Sequence, residues 1–265
     1  MEFDVVRSGT GTNEWAERTL NICVGCSNNC RYCYAAAMAD RFKQRERSEW
    51  AKEELTARAG ITFYPARGEV VMFPSSHDIS EETLEAYTRV AKLIVAGNNL
   101  LIVSKPRIKC IEKLLTELSA WKEKIQFRFT IGSIEAGVCA YWEPGAPLPV
   151  ERIECLEMAR NAGFSTSVSI EPMLEGREGA AAVVEMARPY VTDTIWIGKM
   201  NRVRSRVSSA DGGGAAIDEI VRLQGDEEIL KLVQDYRNDP VIRWKDSIKA
   251  VVEKYAQSDT GGKET

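Results

Sequence analysis

The sequence predicts an α/β protein built from parallel βα units, arranged as an open sheet or a partial barrel. Six strand-like runs alternate with helix-like runs across residues 17–200, and that alternation is the signature of parallel pairing through helical crossovers. The turns that follow these runs collect Cys, Ser, Asp, Glu and Lys. Such residue types are the ones that build a site at the C-terminal ends of parallel strands.

The first strand is expected at 17–24 (ERTLNICV), followed by a long helix over about 31–58, where Ala, Glu, Lys and Arg favour helix. A second strand is read at 68–74. The helix at 80–97 opens on a capping Ser80 and stops at Gly97. Strands at 99–105 and 125–133 flank a helix over about 107–121. A loop holding Pro144, Pro147 and Pro149 then leads to a helix at 150–162. The fifth strand spans 164–172, a helix follows at 177–188, and the sixth strand spans 192–199. Residues 201–216 read as a basic, then Gly-rich, mobile loop. Helices are expected at 217–237 and 240–256, with a disordered tail after them. The chain thus divides into an N-terminal extension (1–16), a core (17–200) and a C-terminal region (201–265).

With 265 residues, 44% hydrophobic and 28% charged, the composition is that of an ordinary globular protein. A net charge of −4 excludes a surface that is basic throughout, while leaving room for a local basic patch. No apolar run reaches the roughly 18 residues of a membrane span. The first residues also lack the order of a secretory signal, so a cytoplasmic location is expected. Of the seven cysteines, four fall between positions 23 and 33. That clustering points to metal or catalysis rather than a disulfide framework.

The decisive segment is Cys26-Ser-Asn-Asn-Cys30-Arg-Tyr32-Cys33, a C-x3-C-x2-C pattern directly after the first strand. Three thiolates on a tight loop can hold three irons of a 4Fe–4S cluster and leave the fourth iron open for a ligand. Adding Cys23 makes the run C-x2-C-x3-C-x2-C, which would suit a four-sulfur zinc site; ordinary buried cysteines are a further alternative. Cys23 itself reads as a small strand residue.

In this cysteine pattern the chain resembles the radical S-adenosylmethionine (SAM) superfamily. Beyond the triad it resembles the spore photoproduct lyase-like branch over roughly residues 19–200. Cys30-Arg-Tyr32-Cys33-Tyr34 is similar to that branch's C-x-Y-C-Y ending, and Ser104-Lys105 to its Thr-Lys. Glu143-Pro-Gly-Ala-Pro147 with Glu151-Arg152 is similar to its acidic-Pro loop and Glu-Arg helix start. Two departures stand out. Ser75-Ser76-His77-Asp78-Ile79 replaces the branch's Asp-Pro-Tyr-Gln, and the Gly-Gly-Glu of many radical SAM enzymes is missing there.

The resemblance implies a partial (β/α)6 TIM-type barrel with a C-terminal helical extension. It also implies a 4Fe–4S cluster on Cys26, Cys30 and Cys33, with SAM on the open iron. One electron, from a donor such as flavodoxin or ferredoxin, would cleave SAM to a 5′-deoxyadenosyl radical that abstracts hydrogen from substrate. The expected substrate is a nucleotide or nucleic-acid component. Peptide, protein or small-metabolite substrates remain open, as does a non-catalytic zinc or iron–sulfur module.

By position, Tyr32, Tyr34, Ser76, Asp78, Lys105, Ser133, Glu135, Ser169 and Glu171 are the expected cofactor-binding residues. Lys105 would meet the SAM carboxylate and Glu135 the ribose hydroxyls. His77, beside Asp78, would orient substrate or move a proton. Lys199, Asn201, Arg202, Arg204 and Arg206 would clamp an anionic substrate group. Cys139 would donate hydrogen to a substrate radical. Each has a plain alternative as a loop cap, a solvated side chain or a structural thiol. Cys110 and Cys155 read as core.

Overall fold

The structure, a computed structural model, describes residues 9–209 and 213–260. The chain enters through a 3-10 turn, Gly11–Glu14, and strand β1 (Arg18–Thr19). Strand β2 (Cys23–Val24) leads into the cysteine loop and helix α1 (Tyr34–Arg41). There follow β3 (Glu54–Leu55), β4 (Val70–Met72), α2 (Leu84–Val95), β5 (Asn99–Ser104), α3 (Ile108–Glu117) and β6 (Ile125–Thr130). Next come α4 (Ala136–Trp142), α5 (Pro149–Asn161), β7 (Ser165–Ile170), α6 (Gly176–Ala187) and β8 (Ile195–Ile197). The chain ends with α7 (Val203–Arg206), α8 (Gly213–Leu223), α9 (Asp226–Asp235), β9 (Ile242–Trp244) and α10 (Asp246–Thr260).

Seven strands form one parallel sheet in the order β1-β4-β5-β6-β7-β8-β9, curved into a half-barrel with helices around it. The two-residue alternation of strands divides its faces. Val71, Leu100, Ile102, Phe127, Phe129, Val168, Ile170, Ile195 and Ile197 point outward into the main core, against the helices. Val70, Met72, Leu101 and Trp196 point inward and pack with Trp15 from the N-terminal segment. On β6 and β7 the inward set is polar. Arg128, fully buried there, donates to Ser167 Oγ (2.9 Å) and Gln126 Oε1 (3.0 Å) and lies over the rings of Trp15 and Trp196.

The first expected strand survives in the sheet only as Arg18–Thr19. Past Leu20 the chain leaves β4, and Cys23–Val24 instead pairs antiparallel with β3. The long helix expected over 31–58 is corrected to α1, a 3-10 turn at Arg47–Glu49, and β3. Lys43, with φ of 54°, breaks α1. Trp50 is then buried beneath the cysteine loop, so tertiary packing outweighs helix propensity. The C-terminal region is also more than helices, because β9 extends the sheet parallel to β8. Within the expected mobile loop, residues 203–206 are helical and α8 begins at Gly213, while 210–212 lie outside the described residues. In the expected tail, α10 runs to Thr260, and 261–265 lie outside the described residues. Among the described residues, no helix is long and apolar enough to cross a membrane.

The N- and C-terminal parts are tied by a buried charge cluster. Lys245, just past β9, is 1% exposed; its Nζ lies 2.5 Å from Glu14 Oε2, donates to the Gly11 carbonyl (2.8 Å) and sits 4.1 Å from the Trp15 ring centre. Lys249 reaches the other Glu14 oxygen at 3.0 Å. Removing one partner of a buried pair strands the other charge. Lys245→Met is therefore expected to cost about 3 kcal/mol in urea unfolding. A loss below about 1 kcal/mol would mean that Lys249 alone neutralises Glu14.

Candidate active site

The C-terminal strand ends open into a cavity of about 490 Å³. Its lining includes Cys26, Cys30, Cys33, Tyr32, Tyr34, Ser76, His77, Asp78, Lys105, Ser169, Glu171, Lys199, Asn201 and Arg206. Most of the residues singled out from the sequence thus meet in one place. Ser133, Glu135, Cys139, Arg202 and Arg204 are not part of that lining.

Asp78 organises the cavity. Its Oδ1 accepts the Lys105 amide (2.6 Å) and the Ser104 hydroxyl (3.1 Å), and its Oδ2 accepts the Asn28 side-chain amide (2.8 Å). The Asp78 amide in turn donates to Cys26 Sγ at 3.4 Å. Burial alone would raise the Asp78 carboxyl, but the Lys105 charge and these donors together hold it below the ordinary aspartate range. Asn28 is itself held by Arg107, which donates to its Oδ1 (2.6 Å) and to the Gly145 carbonyl (2.8 Å). The backbones pack so closely here that a Cβ on Gly145 would lie 2.0 Å from the Ser27 carbonyl oxygen.

Lys105 stands between two carboxylates, 3.8 Å from Asp78 Oδ2 and 3.9 Å from Glu143 Oε1. Burial would lower its pKa, yet Cys30, Asp78 and Glu143 raise it, so it stays charged. Glu143 also receives the Tyr32 hydroxyl and pairs with the fully buried Arg152 at 2.5 Å. At the mouth, the Tyr34 hydroxyl donates to the Ser75 carbonyl (2.6 Å), and the Arg206 guanidinium lies 6.0 Å from the Tyr34 ring centre. Asn21 shapes the loop after β4 by accepting the amides of Ser75 (2.8 Å) and Ser76 (2.9 Å).

His77 is 6% exposed. Its Nδ1 lies 3.0 Å from the Asp78 carbonyl oxygen, and because a carbonyl can only accept, Nδ1 carries the proton. Nε2 is then a buried acceptor with no partner among the described residues. Burial also holds the imidazole below its ordinary pKa and so favours the neutral form.

All seven cysteines are free thiols. Cys33 Sγ accepts the Ala36 amide (3.4 Å) and caps α1. Burial raises Cys26 well above the ordinary thiol range and Cys30 to about 12; bound metal would reverse this by favouring the thiolates. Among the described residues, no three His, Cys, Asp or Glu side chains converge as they would on a single ion. Cys23 does not join Cys26, Cys30 and Cys33 at the cavity. Its thiol turns to the carbonyls of Val24 (3.5 Å) and Gly25 (3.8 Å), which leaves a zinc site without its fourth sulfur.

The remaining residues have other surroundings. Ser133 donates to Glu175 and accepts the Glu135 amide (2.8 Å), while the Glu135 side chain is exposed at the start of α4. Cys139 is buried among Trp142, Leu174, Met200 and Ile217; its thiol donates to the Ser133 carbonyl (3.6 Å), and burial raises its pKa to about 11. Arg204 pairs with Asp218 at 2.9 Å on the surface, and Arg202 is an exposed left-handed residue. Cys110 and Cys155 are fully buried in α3 and α5, as expected. Four residues have no signal in the sequence: Trp50 and Lys245, which folding brings into the lining, and Asn28 and Arg107, which brace Asp78 from outside it.

No family model matches the chain. Uncharacterized protein ORF301 of Acidianus two-tailed virus is 27% identical over 195 residues, which are 68% of this chain; the match spans 63% of that relative's length. Among solved structures, a spore photoproduct lyase mutant superposes with a TM-score of 0.58 at 15% identity, covering 92% of this chain and 79% of the lyase. The chain has the fold of spore photoproduct lyase. A second lyase mutant, with dinucleoside spore photoproduct, gives 0.56 at 14% identity and covers 85% of this chain and 75% of the lyase. SuiB of Streptococcus suis bound to S-adenosylmethionine gives 0.51 at 10% identity, covering 86% of this chain and 50% of SuiB. At these identities the likeness is one of fold.

Asp78→Ala removes the acceptor of four donors, the Lys105 amide, the Ser104 hydroxyl, the Asn28 amide and the Cys26 thiol, and one of the carboxylates facing Lys105. The protein is expected to lose about 3–5 kcal/mol of unfolding free energy, with a smaller loss for Asp78→Asn. Equal losses in urea titrations would show that the charge of Asp78 contributes nothing.

Proposed function

We propose that this chain is a radical SAM enzyme in which Cys26, Cys30 and Cys33 hold a 4Fe–4S cluster and the adjoining cavity holds SAM. The observation that carries this reading is the meeting of those three thiols with Lys105 and Asp78 in one cavity, while Cys23 turns away. Cluster and SAM together supply a 5′-deoxyadenosyl radical for hydrogen abstraction.

The chain's own residues supply position and charge. Among the described residues the Lys105 ammonium makes ion pairs at 3.8–3.9 Å but no hydrogen bond, so its donors are available to the SAM carboxylate. Tyr32 and Glu143 support Lys105 from behind. His77 Nε2 accepts an N–H or O–H of the bound ligand, and Ser76, Ser169 and Glu171 offer acceptors for hydroxyl groups. Cys139 and Glu135, outside the lining, take no part in this reading. A separate carrier such as flavodoxin or ferredoxin delivers the electron.

For the substrate, an anionic nucleotide or nucleic-acid component fits the mouth. Lys199, Asn201 and Arg206 line it, and Arg206 makes no ion pair among the described residues. Its guanidinium beside the Tyr34 ring suits both a phosphate and a base. Peptides and small metabolites are the competing substrates.

Anaerobic reconstitution is expected to yield about four irons per chain and SAM-dependent release of 5′-deoxyadenosine, both abolished by Cys30→Ala. Zinc without iron in anaerobically purified protein would refute the cluster. His77→Phe is expected to weaken SAM or substrate binding about tenfold, as the loss of one buried hydrogen bond implies; unchanged affinity for both would remove His77 from the site. Arg206→Ala should weaken oligonucleotide binding and lower its salt dependence. Binding that is insensitive to salt would instead favour an uncharged substrate.

A further inference from the structure

Among the described residues, Trp50 carries a buried donor with nothing to donate to. It is 3% exposed, packs with Cys26, Ala35, Ala36 and Ala39, and lines the same cavity as the three thiols. Its ring N–H has no hydrogen-bond partner among the described residues. The residue is fixed against the cysteine loop by its backbone, because its carbonyl accepts the Cys26 amide at 2.8 Å. Gly25 makes that approach possible; its φ is +95°, and a Cβ there would lie 2.1 Å from the Lys52 carbonyl oxygen and 3.0 Å from that of Trp50.

An indole nitrogen can only donate. Leaving such a donor unpaired in the interior costs about 1–3 kcal/mol, and native structures keep few of them without reason. The acidic groups nearby are engaged elsewhere: Asp78 with Lys105, Ser104 and Asn28, and Glu143 with Tyr32 and Arg152. Sulfur is the acceptor chemistry that the cysteine loop brings to this wall.

We propose that the Trp50 indole N–H donates to a sulfur of the cluster held by Cys26, Cys30 and Cys33, and thereby raises its reduction potential; this rests on the function proposed above. Reduction adds one electron and one negative charge to the cluster. A donor to sulfur stabilises that added charge more than it stabilises the oxidised state. Trp50 is thus a tuning residue, touching the cluster rather than substrate.

The test is an EPR-monitored redox titration of the anaerobically reconstituted chain without SAM, with a low-potential viologen supplying the single electron. Wild type is compared with Trp50→Phe, which keeps an aromatic ring and loses the donor. At a fixed potential near the midpoint, Trp50→Phe should show about three- to tenfold less reduced relative to oxidised cluster, a tenfold change being about 59 mV for one electron. An unchanged midpoint overturns the proposal. If Trp50→Phe takes up no cluster, wild type labelled with 15N at the indole nitrogen replaces it. Pulsed EPR of the reduced cluster should then detect an 15N coupling that survives in a labelled Trp15→Phe chain. Absence of coupling overturns the proposal. An unchanged midpoint with weakened SAM binding would assign the indole to SAM instead. Wild type that takes up no 4Fe–4S cluster would overturn this proposal and the proposed function together.

Discussion

The site is organised around one buried carboxylate. Asp78 accepts hydrogen bonds from the start of the turn after β5 and from the cysteine loop, while its own amide donates to Cys26. Three loops, from three positions along the chain, are therefore held by one residue. A carboxylate in such a place is tolerated only when donors and a cation replace the lost water. Asn28, Ser104, the Lys105 amide and the Lys105 ammonium provide that replacement. Shifting any one loop would leave the others facing a poorly solvated charge.

A second layer of charge lies behind the first. Lys105 is shared by Asp78 and Glu143, and Glu143 also meets Tyr32 and Arg152. Opposite charges alternate, so each buried group has a compensating neighbour. The same logic governs the sheet's concave side, where Arg128 is held by Ser167 and Gln126 against two indoles. The outward side stays apolar and packs against the helices. This separation lets one sheet carry both a conventional core and a polar interior leading to the cavity. Burial favours the neutral thiols of Cys26 and Cys30, so the cluster binding proposed above would have to displace their protons.

Much of this was legible in the residues. The strand at 125–130 reads Ile-Gln-Phe-Arg-Phe-Thr, and its alternation matches the two faces found. The triad's place after the first strand, and the strand-end positions of Asp78, Lys105, Ser169 and Glu171, matched the cavity they share. Where placement differs from the expectation, the causes are physical. β9 has only three residues, too few for a periodic signal, so Lys245 had no strand end to mark it. Residues 31–58 have helical composition, but burying Trp50 against the cysteine loop outweighed it. Ser133 and Glu135 also follow a strand, yet Ser133 turns to Glu175 and Glu135 to solvent.

Sequence alone determined the α/β class and the close spacing of three cysteines on one loop, because alternation and spacing are local properties written in neighbouring residues. Tertiary structure alone decided which side chains share the cavity. It turned Cys23 aside, enclosed Cys139 in a separate apolar cluster, paired Arg204 on the surface and brought Trp50 and Lys245 in from distant segments. Those outcomes depend on burial and on partners far apart in the chain. Contacts such as Asp78 with Asn28 or Lys245 with Glu14 exist only once the sheet has closed.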